Sequence, residues 1–401
     1  MKSVEAQLEV IKRGVVDIVS ETELIQKLKK SFEKNTPLTI KLGIDPTGAD
    51  IHLGHTVVLN KLRQFQELGH KIVLIIGDYT AMIGDPSGRL AERPQLDRET
   101  ILKNVENFKQ QAMKILDGDK METVYNGAWF GKMEFMDVIK MISKFTLAQM
   151  LEHDYFDKRF KEGTAISLHE MIYPIMQGYD SVMIKADIEL GGTDQRFNVI
   201  VGRYLQRESG QDSQVGLFLP VLLGTDGKNK MSKSLKNYIG VNDAPADMFG
   251  KIMSIPDELM PQYYELLTQV PLKEINEMPE EIKSGKVHPM QLKKNLADII
   301  VGKFHSDAEA KQARAAFENV FSKGEIPTDI MEYKVPTGKI NISTLMVAAG
   351  LATSNSEARR LITQGGVSIN DEKISDFKKE LEINGEVILK VGKRKFLKIT
   401  R

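Results

Sequence analysis

A strand, a helix and a second strand follow one another between residues 38 and 76, and this order constrains the fold more than any other feature of the chain. Leu38–Ile44 is a short apolar-rich run that ends before Pro46, and proline disfavours helix at the residue preceding it. His55–Leu68 has its apolar residues at helical spacing, and Lys71–Ile76 has the composition of a buried strand. A strand that returns through a helix to another strand predicts a parallel sheet.

The 401 residues exceed the usual size of one domain, so several domains are expected. We predict an α/β fold whose first domain is a doubly wound, parallel-sheet (Rossmann-like) domain that binds its ligands at the carboxyl ends of the strands. The predicted divisions are a catalytic domain over 1–225 with a Met-rich helical insertion at about 126–187, an all-helical domain over 226–323, a linker rich in Pro and Gly over 324–339, and a small α+β module over 340–401.

Composition narrows the class of protein without identifying it. Lys plus Arg equals Asp plus Glu at 55 each, so any contact with nucleic acid must come from local basic patches. The chain has no cysteine, which excludes disulfides, thiolate metal sites and cysteine nucleophiles, and this favours a cytoplasmic enzyme. Charges are scattered through residues 1–30, and no apolar run approaches ~18 residues, so we predict neither a signal peptide nor a membrane span.

Two histidines follow the first predicted strand, in the motif His52-Leu-Gly-His55. We predict that a helix begins at His55, so that backbone N–H groups and the positive end of the helix dipole face a bound phosphate. Gly54 would let a nucleotide approach the backbone because it has no Cβ. Taken alone, two histidines near a helix start are more often surface or core groups, and a metal-binding pair is a lesser alternative.

A second motif, Lys230-Met231-Ser-Lys233-Ser, begins 175 positions after His55 (230 − 55). A mobile loop with two lysines three positions apart can close over a triphosphate and offset the negative charge that grows on the leaving pyrophosphate. By itself such a loop is usually a solvated turn. The two motifs together predict an ATP site.

Both motifs are similar to the two signatures of class I aminoacyl-tRNA synthetases, and nearly the whole chain resembles the bacterial tyrosyl-tRNA synthetases. Three further stretches carry this resemblance: Ile83–Arg89, Tyr173–Asp180 and Gly191–Gln195. The resemblance implies activation of L-tyrosine with ATP, with Mg²⁺ carried on the phosphates, and transfer of the tyrosyl group to tRNA(Tyr). It also implies a cytoplasmic homodimer formed through the helical insertion.

The resemblance assigns roles to individual residues on the ATP side of the site. The implied catalytic residues are Thr47, His52, His55, Lys230 and Lys233, and the implied ATP-binding residues are Asp45, Gly54, His55, Gly192, Asp194, Met231 and Lys233. Asp194 would accept hydrogen bonds from the ribose, and Gly192 would let the backbone approach it. A tight turn is the alternative interpretation of that segment.

The tyrosine side is predicted from one helix face. Tyr173, Gln177 and Asp180 lie at positions i, i+4 and i+7, so they share a face, which could alternatively serve only core packing. Asp180 can accept the phenol O–H, Gln177 and Tyr173 can bind the ammonium or carboxylate of tyrosine, and Asp85 can supply negative charge for the ammonium. The resemblance implies that these four residues and Gln195 bind tyrosine.

The chain departs from this family at two positions of the tyrosine pocket. Lys41 stands where many relatives have a tyrosine beside the substrate hydroxyl, and Glu189 stands where relatives often have glutamine. Recognition of the phenol is therefore expected to depend more heavily on Asp180.

Residues 340–401 contain 11 Lys/Arg and 7 Asp/Glu, a local excess of four positive charges. Ser354 and Glu357 form a predicted capping box at the start of a helix that carries Arg359 and Arg360. This region resembles a small RNA-binding module shared with a ribosomal small-subunit protein, which implies tRNA contacts by Arg359, Arg360, Lys393 and Arg394. A solvated basic surface is the alternative.

Three other functions remain open at the level of sequence. The tryptophan-specific synthetases share the sheet and the insertion but typically lack the C-terminal module, and Asp180 with Gln195 suits a phenol better. A nucleotidylyltransferase with an HxGH motif is a second alternative, but such an enzyme needs neither the helical domain nor the basic module. An inactive RNA-binding descendant of a synthetase is a third, but it could lose the charged groups that both motifs of this chain retain. Dehydrogenase and P-loop readings are disfavoured because neither G-x-G-x-x-G nor G-x-x-x-x-G-K-[ST] occurs.

Overall fold

The structure is a computed structural model that describes residues 1–46, 50–87, 98–322, 331–335, 339–370, 372–382, 387–392 and 395–400. It divides into two compact units, Met1–Ala313 and Arg314–Arg401. Among the described residues, no helix combines the length and apolar character that crossing a membrane requires.

The described part of the first unit contains six strands. They are β1 (Asp17–Val19), β2 (Thr39–Ile44), β3 (Lys71–Ile76), β4 (Met121–Tyr125), β5 (Ile188–Gly192) and β6 (Val215–Leu219). The helices are α1 (Val4–Lys12), α2 (Glu21–Lys34), α3 (Leu53–Leu68), α4 (Arg98–Ala112), α5 (Gly127–Phe130), α6 (Phe135–Ile142), α7 (Leu147–Met150), α8 (Asp154–Lys161), α9 (Leu168–Ile184), α10 (Arg196–Glu208), α11 (Pro245–Met253), α12 (Met260–Leu267), α13 (Leu272–Lys283) and α14 (Pro289–Phe304); α15 (Asp307–Ser322) continues into the second unit.

The six strands form one sheet in the order β1-β6-β5-β2-β3-β4. All neighbours are parallel except β1, which pairs antiparallel with β6 at the edge. The chain runs outward from β2 to β3 and β4 on one side, and from β5 to β6 on the other. The predicted doubly wound α/β fold is confirmed, and its switch point, where ligands bind in such sheets, lies between β2 and β5.

The strand–helix–strand unit forms largely where its pattern predicts it. Strand β3 spans the predicted Lys71–Ile76 and is buried beyond its first residue, and α3 ends at Gly69, whose φ of +91° is the left-handed conformation that glycine adopts at low cost. The predicted helix start at His55 is wrong by two residues. His52 is the N-cap, with an extended backbone (φ −120°, ψ 169°), and the helix begins at Leu53.

The predicted helical insertion contains α5 to α9, and α9 packs closely on α10. Its apolar core includes Phe130, Met141, Met150 and Met176. Helix α9 is therefore fixed between the insertion and the sheet, and it carries three of the five predicted tyrosine-binding residues, Tyr173, Gln177 and Asp180.

Helices α11 to α14 were predicted to form a domain separate from residues 1–225, but they belong to the same compact unit. Helix α12 packs against α3, the Asn60 side chain donates to Leu266 O at 3.0 Å, and Arg13 donates to Glu265 O at 3.2 Å. These contacts join residues more than 200 positions apart, and no local sequence pattern reports them.

The second unit is a small α+β module. Its described elements are β7 (Met331–Lys334), β8 (Lys339–Asn341), α16 (Ile342–Ala348), α17 (Asn355–Thr363), β9 (Val367–Ile369), β10 (Glu372–Lys373), β11 (Glu380–Glu382), β12 (Val387–Val391) and β13 (Lys395–Thr400). One sheet has the order β10-β9-β12-β13-β7, and β11 pairs with β8. Residues 324–339 are therefore not simply a linker: Met331–Lys334 joins the sheet parallel to β13, while 324–330 and 336–338 lie outside the described residues.

Candidate active site

A cleft of about 900 Å³ opens at the carboxyl ends of β2 and β5, at the switch point of the sheet. The predicted site residues that line it are Asp45, His52, Gly54, His55, Asp85, Tyr173, Gln177, Asp180, Gly192, Asp194, Gln195, Lys230, Met231 and Lys233. Thr47 lies outside the described residues. The cleft thus brings together both motifs and the predicted tyrosine-binding face of α9.

The two histidines stack on each other at the start of α3, with their ring centroids 3.8 Å apart. Burial, with Lys233 and Lys230 nearby, lowers the pKa of His55 to about 4, and burial together with the neighbouring His55 and Lys233 lowers the pKa of His52 to about 3. Both imidazoles are therefore neutral at neutral pH. His55 Nδ1 accepts from the His52 backbone N–H at 3.2 Å, so the ring proton of His55 resides on Nε2, where it can be donated to a ligand.

Gly54 has a structural role that the sequence did not reveal. A Cβ at this position would lie 3.0 Å from His52 Nδ1 and 3.5 Å from Met231 Cβ. The missing side chain therefore lets the His52 ring and the second motif approach the start of α3. His52 Nδ1 is buried and has no hydrogen-bond partner among the described residues.

The second motif is held beside the first by backbone and side-chain contacts. The Met231 N–H donates to Leu222 O at 2.9 Å, and the Ser232 N–H donates to Asn237 Oδ1 at 2.8 Å. Lys233 Nζ lies 2.6 Å from Asp50 Oδ2, on the chain segment that precedes His52. Sequence reasoning missed Asn237 and Asp50, since neither belongs to a recognisable motif.

Asp180 lies buried at the inner end of the cleft. It accepts from Trp129 Nε1 at 2.9 Å and from Asn126 Nδ2 at 3.3 Å, two residues that were not predicted to belong to the site. Burial raises the pKa of the Asp180 carboxyl to about 7, against the opposing effect of Lys41. Trp129 is the single tryptophan of the chain, and its position at the start of the insertion was the only available signal.

Asp85 is oriented by two donors at the other end of the predicted tyrosine pocket. Its Oδ1 accepts from the Ser87 N–H at 2.8 Å, and its Oδ2 accepts from Gln195 Nε2 at 2.8 Å. Asn198 donates to Gln195 Oε1 at 3.1 Å and to Gln177 Oε1 at 2.9 Å, so it aligns both glutamine side chains. Asn198 was also missed.

Asp45 and Tyr173 connect the two halves of the cleft. The Tyr173 hydroxyl donates to Asp45 Oδ2 at 2.9 Å, and the Thr80 hydroxyl donates to Asp45 Oδ1 at 2.8 Å. Asp194 lies across the cleft, after β5, and burial raises the pKa of its carboxyl. The cleft is therefore lined both by carboxylates and by the ammonium groups of Lys230 and Lys233.

In the second unit, Arg359 and Arg360 are exposed on α17. Ser354 caps this helix by accepting from the Glu357 N–H at 3.2 Å, as the capping box predicts. Glu357 reaches back to the Thr353 N–H at 2.7 Å instead of the cap residue. Lys393 and Arg394 lie outside the described residues, so contact of these four side chains with RNA stays a prediction.

Comparisons with known proteins cover the whole chain. A family model described as tRNA synthetases class I (W and Y) matches residues 33–322, and a second, the tyrosine–tRNA ligase SYY-like C-terminal domain, matches residues 322–399. Curated tyrosine–tRNA ligases from Carboxydothermus hydrogenoformans and Moorella thermoacetica are 53% and 50% identical to this chain. The alignments cover 98% of this chain and 97% of the first relative, and 99% of this chain and 96% of the second.

Solved structures show the same fold. The tyrosyl-tRNA synthetase from Archaeoglobus fulgidus, complexed with L-tyrosine, superposes with a TM-score of 0.63 at 25% identity, covering 78% of this chain and 100% of that one. A C-terminally truncated mitochondrial tyrosyl-tRNA synthetase from Aspergillus nidulans superposes with a TM-score of 0.65 at 21% identity, covering 80% of this chain and 95% of that one.

Proposed function

The chain belongs to the tyrosine–tRNA ligase family of class I aminoacyl-tRNA synthetases, and we propose that its cleft at the β2–β5 switch point is where L-tyrosine is activated with ATP. The tyrosyl group is then transferred to the 3′ end of tRNA(Tyr). The observation that carries this assignment is the lining of one cleft by the histidine motif, the lysine motif and the polar face of α9.

Activation joins the tyrosine carboxylate to the α-phosphate of ATP and releases pyrophosphate. The carboxylate is already ionised at neutral pH, so the site has to position the reactants and stabilise charge, without a general base. Lys230 and Lys233 offset the charge that develops on the leaving pyrophosphate, Thr47 and His52 contact the γ-phosphate, and His55 contacts the ribose. Asp194 and Gly192 hold the ribose, and Mg²⁺ enters on the phosphates of ATP.

The tyrosine lies along α9 in this proposal. Its phenol donates to Asp180, and its ammonium group lies near Asp85, Tyr173 and Gln177. A buried acceptor selects tyrosine over phenylalanine because phenylalanine leaves that acceptor without a partner. Tryptophan offers an indole N–H in place of the phenol, but its two-ring side chain is wider and carries this N–H on the side of the ring, so shape distinguishes the two substrates.

The direct test is exchange of labelled pyrophosphate into ATP, measured separately with tyrosine, tryptophan and phenylalanine. We expect exchange that depends on tyrosine, followed by charging of tRNA(Tyr) when the tRNA is added. Exchange with tryptophan alone would overturn the choice of substrate, and no exchange with any of the three would overturn the proposed activity.

We propose further that the chain forms a homodimer through its helical insertion. Phe135, Met136, Leu147, Phe160 and Leu168 are 58–80% exposed on α6 to α9, and large apolar side chains grouped on neighbouring helices mark interaction surfaces. Replacing Phe135 and Leu168 by aspartate should convert a dimer into a monomer in light scattering, while Phe32→Asp, on α2, should leave the dimer intact. A wild-type monomer at micromolar concentration would contradict the proposal.

A further inference from the structure

An ion pair lies buried in the sheet directly beneath the predicted tyrosine pocket. Lys41 on β2 and Glu189 on β5 are paired in register on neighbouring parallel strands. Lys41 Nζ lies 2.8 Å from Glu189 Oε1, and the two side chains are 0% and 1% exposed. Removing two charges from water costs several kcal/mol per ion unless the geometry satisfies both, so such a pair needs a well-built surrounding network.

The surrounding network satisfies both charges. The Lys41 ammonium donates to Gln177 O at 2.8 Å, to Ser181 Oγ at 2.6 Å and to Glu189. These three contacts use all three protons of the ammonium group. Glu189 also accepts from Gln177 Nε2 at 3.2 Å, from Ser181 Oγ at 3.1 Å and from Gln214 Nε2. The pair therefore fastens α9 to the two strands at the switch point through Gln177 and Ser181.

Gln177 and Ser181, which contact the ion pair, flank Asp180 in the sequence of α9. Asp180 faces the cleft and already accepts one N–H on each oxygen, from Trp129 and Asn126. An ionised carboxylate has further lone pairs for a third donor, whereas a protonated one must place its own proton among these contacts. The ionised form is thus the one that accepts a phenol hydroxyl.

We propose that Lys41 and Glu189 are a specificity-determining pair for tyrosine: the pair seats α9 on the sheet, and the ammonium group of Lys41 favours the ionised form of Asp180 that accepts the phenol hydroxyl. The inference rests on the proposed function and deepens it. Both residues act through Asp180 and α9, so they are positioning residues and not catalytic ones.

The charges of Lys41 and Glu189 shift the pKa of Asp180 in opposite directions, so substitutions at the two positions can be told apart. The charged groups that face Asp180 are Lys41 from β2, which favours the carboxylate, and Glu189 from β5, which disfavours it; Asn126 and Trp129 contribute neutral donors. Glu189→Gln should lower the pKa of Asp180. Lys41→Met combined with Glu189→Gln removes both charges and should raise it, because Lys41 has the larger effect of the two.

The experiment measures kcat/KM for tyrosine and for phenylalanine in pyrophosphate exchange, from acid to alkaline pH, in the wild type and both variants. We expect the apparent pKa of the tyrosine profile to move by about one unit, downward in Glu189→Gln and upward in the double variant, which is about tenfold in rate on the acid side. At pH 7 the double variant should also discriminate tyrosine from phenylalanine about fivefold less well, because the ionised fraction of Asp180 falls from about one half to about one tenth when its pKa rises from about 7 to about 8. Lys27→Met, which breaks the Lys27–Asp187 ion pair at the margin of the same sheet, is the matched control and should change neither quantity.

A purely structural pair would give losses that do not depend on pH and that affect both amino acids alike, and that result would overturn the inference. Trp129 fluorescence supplies a second readout, because this single tryptophan donates to Asp180 and should report tyrosine binding at each pH. Should the double variant fail to fold, Glu189→Gln alone tests the inference, because the apparent pKa of its tyrosine profile should move downward. A wild type without tyrosine-dependent exchange would instead contradict the proposed function.

Discussion

Single residues in the cleft make contacts that an incoming nucleotide would have to replace. Lys233 is 36% exposed at its side chain and is paired with Asp50, which is 60% exposed. A pair this exposed is worth roughly 0–1 kcal/mol, so exchanging Asp50 for a phosphate costs little. Lys233 can therefore exchange Asp50 for a phosphate during the reaction at little cost.

Replacing this lysine should separate chemistry from binding. In Lys233→Ala the charge on the leaving pyrophosphate loses one of its two ammonium partners, and we expect adenylate formation to slow by about 10²–10³-fold. Tyrosine affinity, measured by Trp129 fluorescence, should change less than about threefold. Lys228→Ala, an exposed lysine of the same segment that does not line the cleft, is the control. Equal losses in rate and in tyrosine affinity would refute the assigned role.

At the scale of helices and strands, the sequence predicted those elements whose signal lies within the element itself. An unbroken apolar run predicted β3, and a glycine stop predicted the end of α3. The start of α3 was misplaced because His52 is an uncommon N-cap, and its position depends on bridges to residues 239–241, far along the chain. The i, i+4, i+7 spacing on α9 correctly predicted a shared face. No sequence pattern placed Asn126 beside Asp180, and the only signal for Trp129 was that it is the single tryptophan, at the start of the insertion.

A neutral histidine joins three elements and should make the stability of the first unit depend on pH. His70, after α3, accepts from the Leu38 N–H at 3.3 Å and lies 2.9 Å from Gln7 Oε1 of α1, and burial lowers its pKa to about 4. The unfolded chain binds a proton near pH 6.5 and the folded chain does not, so stability is lost as the pH falls from about 6.5 toward 4.

The comparison of wild type with His70→Gln isolates this contribution. The difference between their free energies of unfolding should fall by about 2 kcal/mol from pH 7 to pH 5, since only the wild type carries the titrating group. Urea unfolding followed by Trp129 fluorescence reports on the first unit, which contains that tryptophan. Parallel stability curves over this range would show that His70 is not held neutral by the fold.

At the scale of the whole molecule, the order of the regions along the chain could be predicted, but which regions pack into one compact unit could not. Helices α11 to α14 share a compact unit with the parallel sheet, and α12 packs on α3, a contact that composition does not encode. The supposed linker contributes β7 to the second unit, although its prolines and glycines suggested irregular chain. Pairings between distant segments decide such boundaries, whereas the sequence pattern shows only neighbours along the chain.

Because the chain has two units, we predict that reversing one charge in the second unit impairs tRNA charging and leaves tyrosine activation unchanged. Arg360 is exposed on α17, and Arg359 lies over the Phe377 ring with its Cζ 5.4 Å from the centroid, so Arg360 is the freer of the two to meet a phosphate. Arg360→Glu should leave tyrosine-dependent pyrophosphate exchange unchanged and raise KM for tRNA(Tyr) about tenfold, with a weaker salt dependence, because a lost phosphate contact lowers the number of counterions released. Lys34→Glu, an exposed cation at the end of α2, makes the same change of charge and should leave KM for tRNA near the wild-type value. If both reversals raise KM equally, the effect comes from net charge, and α17 has no specific place in tRNA binding.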